Sequence, residues 1–168
     1  MNVFLIGFMG SGKTTIGKKL ANYLKYEFID LDKFIEARSG MSIVDYFATY
    51  GEDAFRELER DVLQKTVYPE NVIIATGGGA PCYRDNMEWM NNNGRVAYLF
   101  LPPKALASRL ENSTADRPLI RNLKGEGLID FITTKLAERE AFYNQSRFVV
   151  SASDLTAERL AFYLNLQG

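Results

Sequence analysis

Residues 7–15, Gly7-Phe8-Met9-Gly10-Ser11-Gly12-Lys13-Thr14-Thr15, constrain this chain more than any other stretch. They follow the apolar run Val3-Phe4-Leu5-Ile6 and lead into the helical spacing Ile16, Leu20, Leu24. Strand, then Gly-x-x-x-x-Gly-Lys-Thr, then helix is the context in which a glycine-rich loop cradles phosphate. The glycines let the chain turn tightly and aim successive N–H groups inward, and the helix adds its positive end at the same point. Lys13 is placed to meet the β/γ-phosphates and the Thr14 hydroxyl to ligate Mg²⁺. A nucleoside triphosphate is the expected ligand; a bare glycine-rich turn is the weaker alternative.

The rest of the composition excludes several function classes. Twenty basic against 21 acidic residues give a net charge of −1, with no footprint for nucleic acid or an anionic membrane. The single cysteine, Cys82, cannot form an intrachain disulfide, which suits a reducing compartment. There is no histidine to activate a thiol or to serve as a general base. No apolar run approaches the roughly 18 residues of a membrane span. With strand 1 starting at once and no charged leader, a cytoplasmic location is expected. At 168 residues the chain reads as one domain.

Short apolar runs alternate with longer helical patterns, which predicts a parallel sheet covered by helices. The predicted strands are Asn2–Ile6, Glu27–Ile29, Asn71–Ala75, Arg95–Leu101 and Arg147–Val150. In such sheets ligands lie beyond the carboxyl ends of the strands. Asp30-Leu31-Asp32 follows strand 2. Since strand 3 ends in Thr76 and glycines, Asp30 is the nearest candidate for the metal-assisting acid. The alternative is that Asp30 or Asp32 caps a helix starting near Leu31–Phe34. Residues 33–50 predict two short helices around Ser39-Gly40. The next helix has a predicted buried stripe of Phe55, Leu58 and Val62. Periodicity alone reads Arg56 and Glu59 as an exposed pair of small energetic value. Thr76-Gly77-Gly78-Gly79-Ala80 is either a flexible turn or a point of close ligand approach, and its place at the sheet's mouth favours the second.

Further on, Pro102-Pro103 precedes a helix over roughly Lys104–Glu111 that carries Arg109. The polar stretch Asn112–Pro118 then reads as a loop bearing a cation, Arg117. The helix about Leu128–Tyr143 has inward positions Ile129, Ile132, Leu136 and Tyr143, and Arg139 falls on the same stripe. A guanidinium there needs an anion, either Glu59 or an acidic substrate. Residues 155–164 predict a closing helix with no legible chemistry.

Taken in order, Gly-x-x-Gly-x-Gly-Lys-Thr-Thr, Asp-x-Asp, Phe-Arg-x-x-Glu, Gly-Gly-Gly, Arg-Pro and Glu-Arg-x-x-x-Tyr resemble the shikimate kinase family over about Asn2 to Val150. The resemblance implies a three-layer P-loop fold like that of nucleoside monophosphate kinases. Its five-stranded parallel sheet would run in order 2-3-1-4-5, with helices on both faces. One domain over residues 1–168 would carry a substrate-binding insertion at about 33–61 and a lid at about 112–123. The implied reaction is ATP plus shikimate giving 3-phosphoshikimate plus ADP, in aromatic amino-acid biosynthesis, with one Mg²⁺ per subunit and a monomeric enzyme. Gly10, Ser11, Gly12, Lys13, Thr14 and Thr15 would bind ATP phosphates. Thr14 and Asp30 would serve the metal. Asp32 would bind shikimate hydroxyls and accept a proton. Arg56 and Arg139 would grip the carboxylate, with the Gly78 backbone lining that pocket. Arg117 would close over the phosphates and Arg109 would lie against adenine. The tail matches poorly, so no adenine contact is carried onto Arg159. The competing readings are another small-molecule kinase, acting on gluconate or a nucleoside monophosphate, and a nucleotide-dependent switch; the Asn-Lys-x-Asp of guanine-specific switches is absent.

Overall fold

A computed structural model describes residues 1–167. Five strands, β1 (Asn2–Ile6), β2 (Glu27–Asp30), β3 (Val72–Ala75), β4 (Arg95–Phe100) and β5 (Phe148–Ser151), form one sheet in order β2-β3-β1-β4-β5. Every pairing is parallel. Val3, Phe4, Leu5 and Ile6 are all buried, as are all four residues of β3. Successive strand residues point to opposite faces, so consecutive burial means that both faces of the sheet are covered. The covering helices are α1 (Lys13–Leu24), α2 (Leu31–Ser39), α3 (Ile43–Tyr50), α4 (Glu52–Lys65), α5 (Asn86–Asn93), α6 (Pro103–Glu111), α7 (Gly125–Tyr143) and α8 (Ala157–Tyr163). Among them α1 packs on α8, α6 on α7, and α2, α3 and α4 on one another. No helix among the described residues is long and apolar enough to cross a membrane.

The observed strands differ from the expected ones by a residue at some ends. The clearest case is β5, which starts at Phe148 because it registers Phe148 against Ala97 and Ser151 against Phe100. Helix α5 has no counterpart in the sequence reading. Four of its eight residues are asparagine, a weak helix former, and its buried face is only Asn86, Met87 and Met90. The parallel register brings the strands' carboxyl ends to one edge. There the phosphate loop follows β1, the two aspartates follow β2, the glycine run follows β3 and Ala152 follows β5.

Asp30 ends β2 and caps α2, its Oδ1 accepting from the backbone N–H groups of Asp32 at 3.0 Å and Lys33 at 3.4 Å. The cap fixes where α2 begins and hence where Asp32 stands. Asp30→Ala is expected to lose about 1 kcal/mol of stability. For a domain of this size that is a fall of about 2–4 °C in Tm. Asp30→Ser, which retains a capping oxygen, should recover most of it; calorimetry of the nucleotide-free protein checks both.

Candidate active site

The phosphate loop is built as its sequence demands. Gly10 and Gly12 adopt φ of +84° and +92°, in the left-handed region, which turns the chain into α1. Gly12 caps α1 without a side-chain bond, and no acid lies in the first turn to compete for its free N–H groups. Lys13 folds over its own loop, its Nζ donating to the carbonyls of Gly7 at 2.6 Å and Phe8 at 3.0 Å. Burial lowers its pKa to about 8, against the pull of nearby Asp32. Ser11 is buried, while Thr14 and Thr15 are exposed on the first turn of α1.

Two cavities adjoin at this edge of the sheet. The first, of about 360 Å³, is lined by the loop, Lys13, Thr14, Asp30 and Arg109. The second, of about 330 Å³, is lined by Arg56, Glu59, Arg139 and the apolar side chains of Ile43, Phe47 and Phe55. Asp32, Arg117, Gly77 and Gly78 line both. So one chamber is lined by the phosphate loop, the other by two arginines, and an aspartate and an arginine stand on the wall between them.

The glycine run is what lets these groups converge. A methyl group on Gly77 would lie 2.9 Å from Asp32 Oδ1. On Gly78 it would lie 3.2 Å from Arg139 Nη1, and on Gly79 2.7 Å from Arg56 Nη2. Each glycine therefore makes room for a different charged side chain. The flexible-turn alternative does not hold. Ala80 and Cys82 donate backbone bonds to Gly77 and Gly79, and Tyr143 Oη donates to the Gly78 carbonyl at 2.5 Å.

Arg56 and Glu59 differ most from the expectation. Both are buried, with relative exposures of 9% and 1%, and Arg56 Nη1 donates to Glu59 Oε1 at 2.9 Å. The buried face of α4 is Phe55, Glu59, Val62 and Leu63 with Arg56 beside it, and Leu58 is only half-buried. The signal was present: positions 55, 59 and 62 share one helical stripe, and 59 is a carboxylate. Glu59 thus belongs to Arg56. Arg139, half-buried over the Phe8 ring at 5.5 Å, has no carboxylate within 4 Å among the described residues.

The remaining expected residues fall around the first cavity. Asp32 is half-buried, and burial raises its pKa, helped by Asp30 and opposed by Lys13. Arg117 is half-buried in the loop after α6, and burial lowers its pKa against the pull of Asp32. Arg109 donates to Ser11 O and Ala152 O, each at 3.2 Å, bridging the phosphate loop to the segment after β5. No cluster of three or more metal-ligating side chains occurs among the described residues. Thr14 and Asp30 do share the first cavity, which suits a cation held mainly by phosphate oxygens and water.

Burial pushes the Glu59 carboxyl up to about 7 from its ordinary 4.5, with Arg56 pulling the other way. Between those values the folded chain retains a proton that the unfolded chain has released. This group's contribution to stability therefore falls as pH rises through that window and is level above it. Asp32, raised in the same direction, adds to the slope. Glu59→Gln should shrink the difference in urea midpoint between pH 5 and pH 8; an unchanged difference would remove Glu59 as its source.

The family model for shikimate kinase matches residues 9–165. The chain is similar to the shikimate kinase of Bacteroides thetaiotaomicron, at 43% identity over 92% of this chain and 89% of that one. The crystal structure of a Bacteroides thetaiotaomicron shikimate kinase superimposes with a TM-score of 0.94, at 40% identity and 99% coverage of both chains. The Acinetobacter baumannii shikimate kinase, solved in complex with shikimate, gives 0.81 at 32% identity, covering 98% of this chain and 93% of that one. A fold, a two-chambered site and a family match that spans nearly the whole sequence agree: the chain belongs to the shikimate kinase family.

Proposed function

We propose that this protein transfers the γ-phosphoryl group of ATP to the 3-hydroxyl of shikimate, as a monomeric cytoplasmic enzyme of the shikimate pathway. One observation carries the reading: the phosphate-loop cavity and the two-arginine cavity meet at Asp32 and Arg117. A phosphoryl group crossing from one to the other passes an acceptor on one side and a cation on the other.

The roles follow from chemistry and place. The N–H groups from Gly10 to Thr15 and the Lys13 ammonium hold the ATP phosphates, with Lys13 exchanging its two loop carbonyls for phosphate oxygens. Thr14, with Asp30 acting through water, would hold Mg²⁺, which supplies charge neutralisation on the β- and γ-phosphates. Arg109 stands at the rim of this cavity, toward the base. In the second chamber Arg56 and Arg139, beside the Gly78 backbone, clamp the planar carboxylate of the acid. Asp32, an acceptor when ionised, takes the hydrogen bond of the attacking hydroxyl and then its proton; a raised pKa suits that task. Arg117 meets the charge of the migrating group. The stretch 33–61 thereby acts as the substrate-binding insertion and 112–123 as the lid, where closure limits transfer to water.

Release of ADP, followed with shikimate, gluconate and nucleoside monophosphates as acceptors, tests the assignment. Turnover with shikimate is expected, and turnover only with another acceptor would overturn it. Arg139→Ala should raise the shikimate KM by about 10- to 100-fold, the loss of one charge-assisted contact, with little change in the KM for ATP. Asp32→Asn should lower kcat by about 10²- to 10⁴-fold. Unimpaired kcat would remove its proton-accepting role.

A further inference from the structure

Arg56 is restrained in more ways than its ion pairs with Glu59 and Glu52 require. Glu59 holds Nη1 from one side, and Gly79 leaves just enough room for Nη2 on another. The guanidinium lies over the Tyr83 ring, with Cζ 3.9 Å from the ring centroid, a separation at which the two planes stack. Phe55 and Phe47 stand farther off, at 5.2 and 5.9 Å. Tyr83 is itself fixed: its hydroxyl donates to Glu52 Oε1 at 3.0 Å, on the first turn of the helix that carries Arg56. The residues after it are tied to the same helix, Arg84 Nε donating to Glu57 at 2.6 Å and Arg60 Nε to Asp85 at 2.7 Å. Meanwhile Arg56 Nε is buried and makes no hydrogen bond among the described residues; it lies 3.7 Å from Glu52 Oε1, the oxygen that accepts from Tyr83.

An arginine side chain has several rotatable bonds, and one hydrogen bond to Glu59 with a longer ion pair to Glu52 at 3.7 Å leaves the guanidinium plane free to tilt. A ring stacked on the plane removes the tilt. The remaining N–H edge then points one way, and a planar carboxylate is gripped by two parallel bonds only when the planes agree. We propose that Tyr83 is a positioning residue: its ring sets the plane of Arg56 and so the affinity for the carboxylate of the substrate. The inference rests on the reading of Arg56 as a carboxylate-binding group. Tyr83 touches Arg56 and not the reacting atoms, so its loss should act on binding rather than on chemistry.

Three variants test this, assayed with shikimate and with its uncharged methyl ester. Tyr83→Leu removes the ring, Tyr83→Phe keeps the ring and loses the hydroxyl, and Arg56→Ala removes the group that is positioned. Tyr83→Leu should raise the shikimate KM by about 3- to 30-fold, the range of a cation–π contact. The KM for ATP and kcat should stay within about twofold, and the ester KM should not move beyond its wild-type value. Tyr83→Phe should stay close to wild type. Tyr83→Met, of similar bulk without an aromatic face, replaces the leucine variant if that one fails to fold. A rise of equal size on the ester means a merely structural role and overturns the inference, as does a phenylalanine variant as damaged as the leucine one. An unchanged KM in Tyr83→Leu beside a raised KM in Arg56→Ala overturns Tyr83 alone. An unchanged KM in Arg56→Ala overturns the carboxylate reading and this inference with it.

Discussion

Three residues without side chains, Gly77, Gly78 and Gly79, set how closely three charged groups of the second chamber can approach. Asp32, Arg139 and Arg56 come from α2, α7 and α4, elements far apart in the chain, and each rests against a different one of the three. Side chains there would hold the charges apart. Bringing them together has an electrostatic consequence. Lys13, Arg56, Arg109, Arg117 and Arg139 face Asp30, Asp32, Glu59 and Asp116 across the two cavities, five cations against four anions. A chain of net charge −1 thus turns a positive mouth toward its ligands. Walls of low polarizability strengthen that field, which favours phosphates in one chamber and a carboxylate in the other.

The same crowding explains Glu59. An unpaired guanidinium as buried as Arg56 would lose its hydration with no return, a loss of several kcal/mol. Glu59 supplies the counter-charge, but it is the more deeply buried partner, and its own desolvation raises its pKa to about 7 despite the adjacent cation. The pair is therefore a compromise: enough negative charge to keep Arg56 in place, not so firmly ionised that Arg56 is neutralised toward every other anion. Arg139 lacks such a carboxylate and is only half-buried, so water and the Phe8 ring suffice for it.

What was legible in the chain was what is local. The phosphate loop is a contiguous motif, the strands are contiguous apolar runs, and Arg139 declared itself by interrupting an apolar stripe on α7. The Arg56–Glu59 pair was misjudged because an i,i+3 pair on a helix looks alike whether it faces water or protein. What covers it, the turn from Gly79 to Tyr83, lies twenty or more residues away. Asp30 kept two readings open from sequence, and the capping one is observed directly. It occupies Oδ1 and, among the described residues, leaves the second carboxylate oxygen uncommitted. Tyr83 gave no local signal at all, since an aromatic residue after a glycine run has many uses and only the fold sets it beneath a guanidinium. Helix α5 was missed because asparagines form helices only when tertiary packing compels them.

Arg117 shows how far a single local rule reaches into the chemistry. It precedes Pro118, whose ring disfavours the helical region for the residue before it, and Arg117 is extended at φ −129° and ψ 98°. Pro118 then opens a short 3₁₀ turn, so the chain bends just after the arginine instead of carrying it onward along a helix. Next to it, Asp116 is engaged by Arg121 through two bonds, at 2.7 and 3.1 Å, so the nearest carboxylate in sequence is not the one Arg117 faces. The anion that acts on Arg117 is Asp32, across the boundary between the chambers. A proline and a local ion pair thus keep this cation free of its own loop. It stands instead at the place where negative charge must accumulate if a phosphoryl group is to pass between the two ligands.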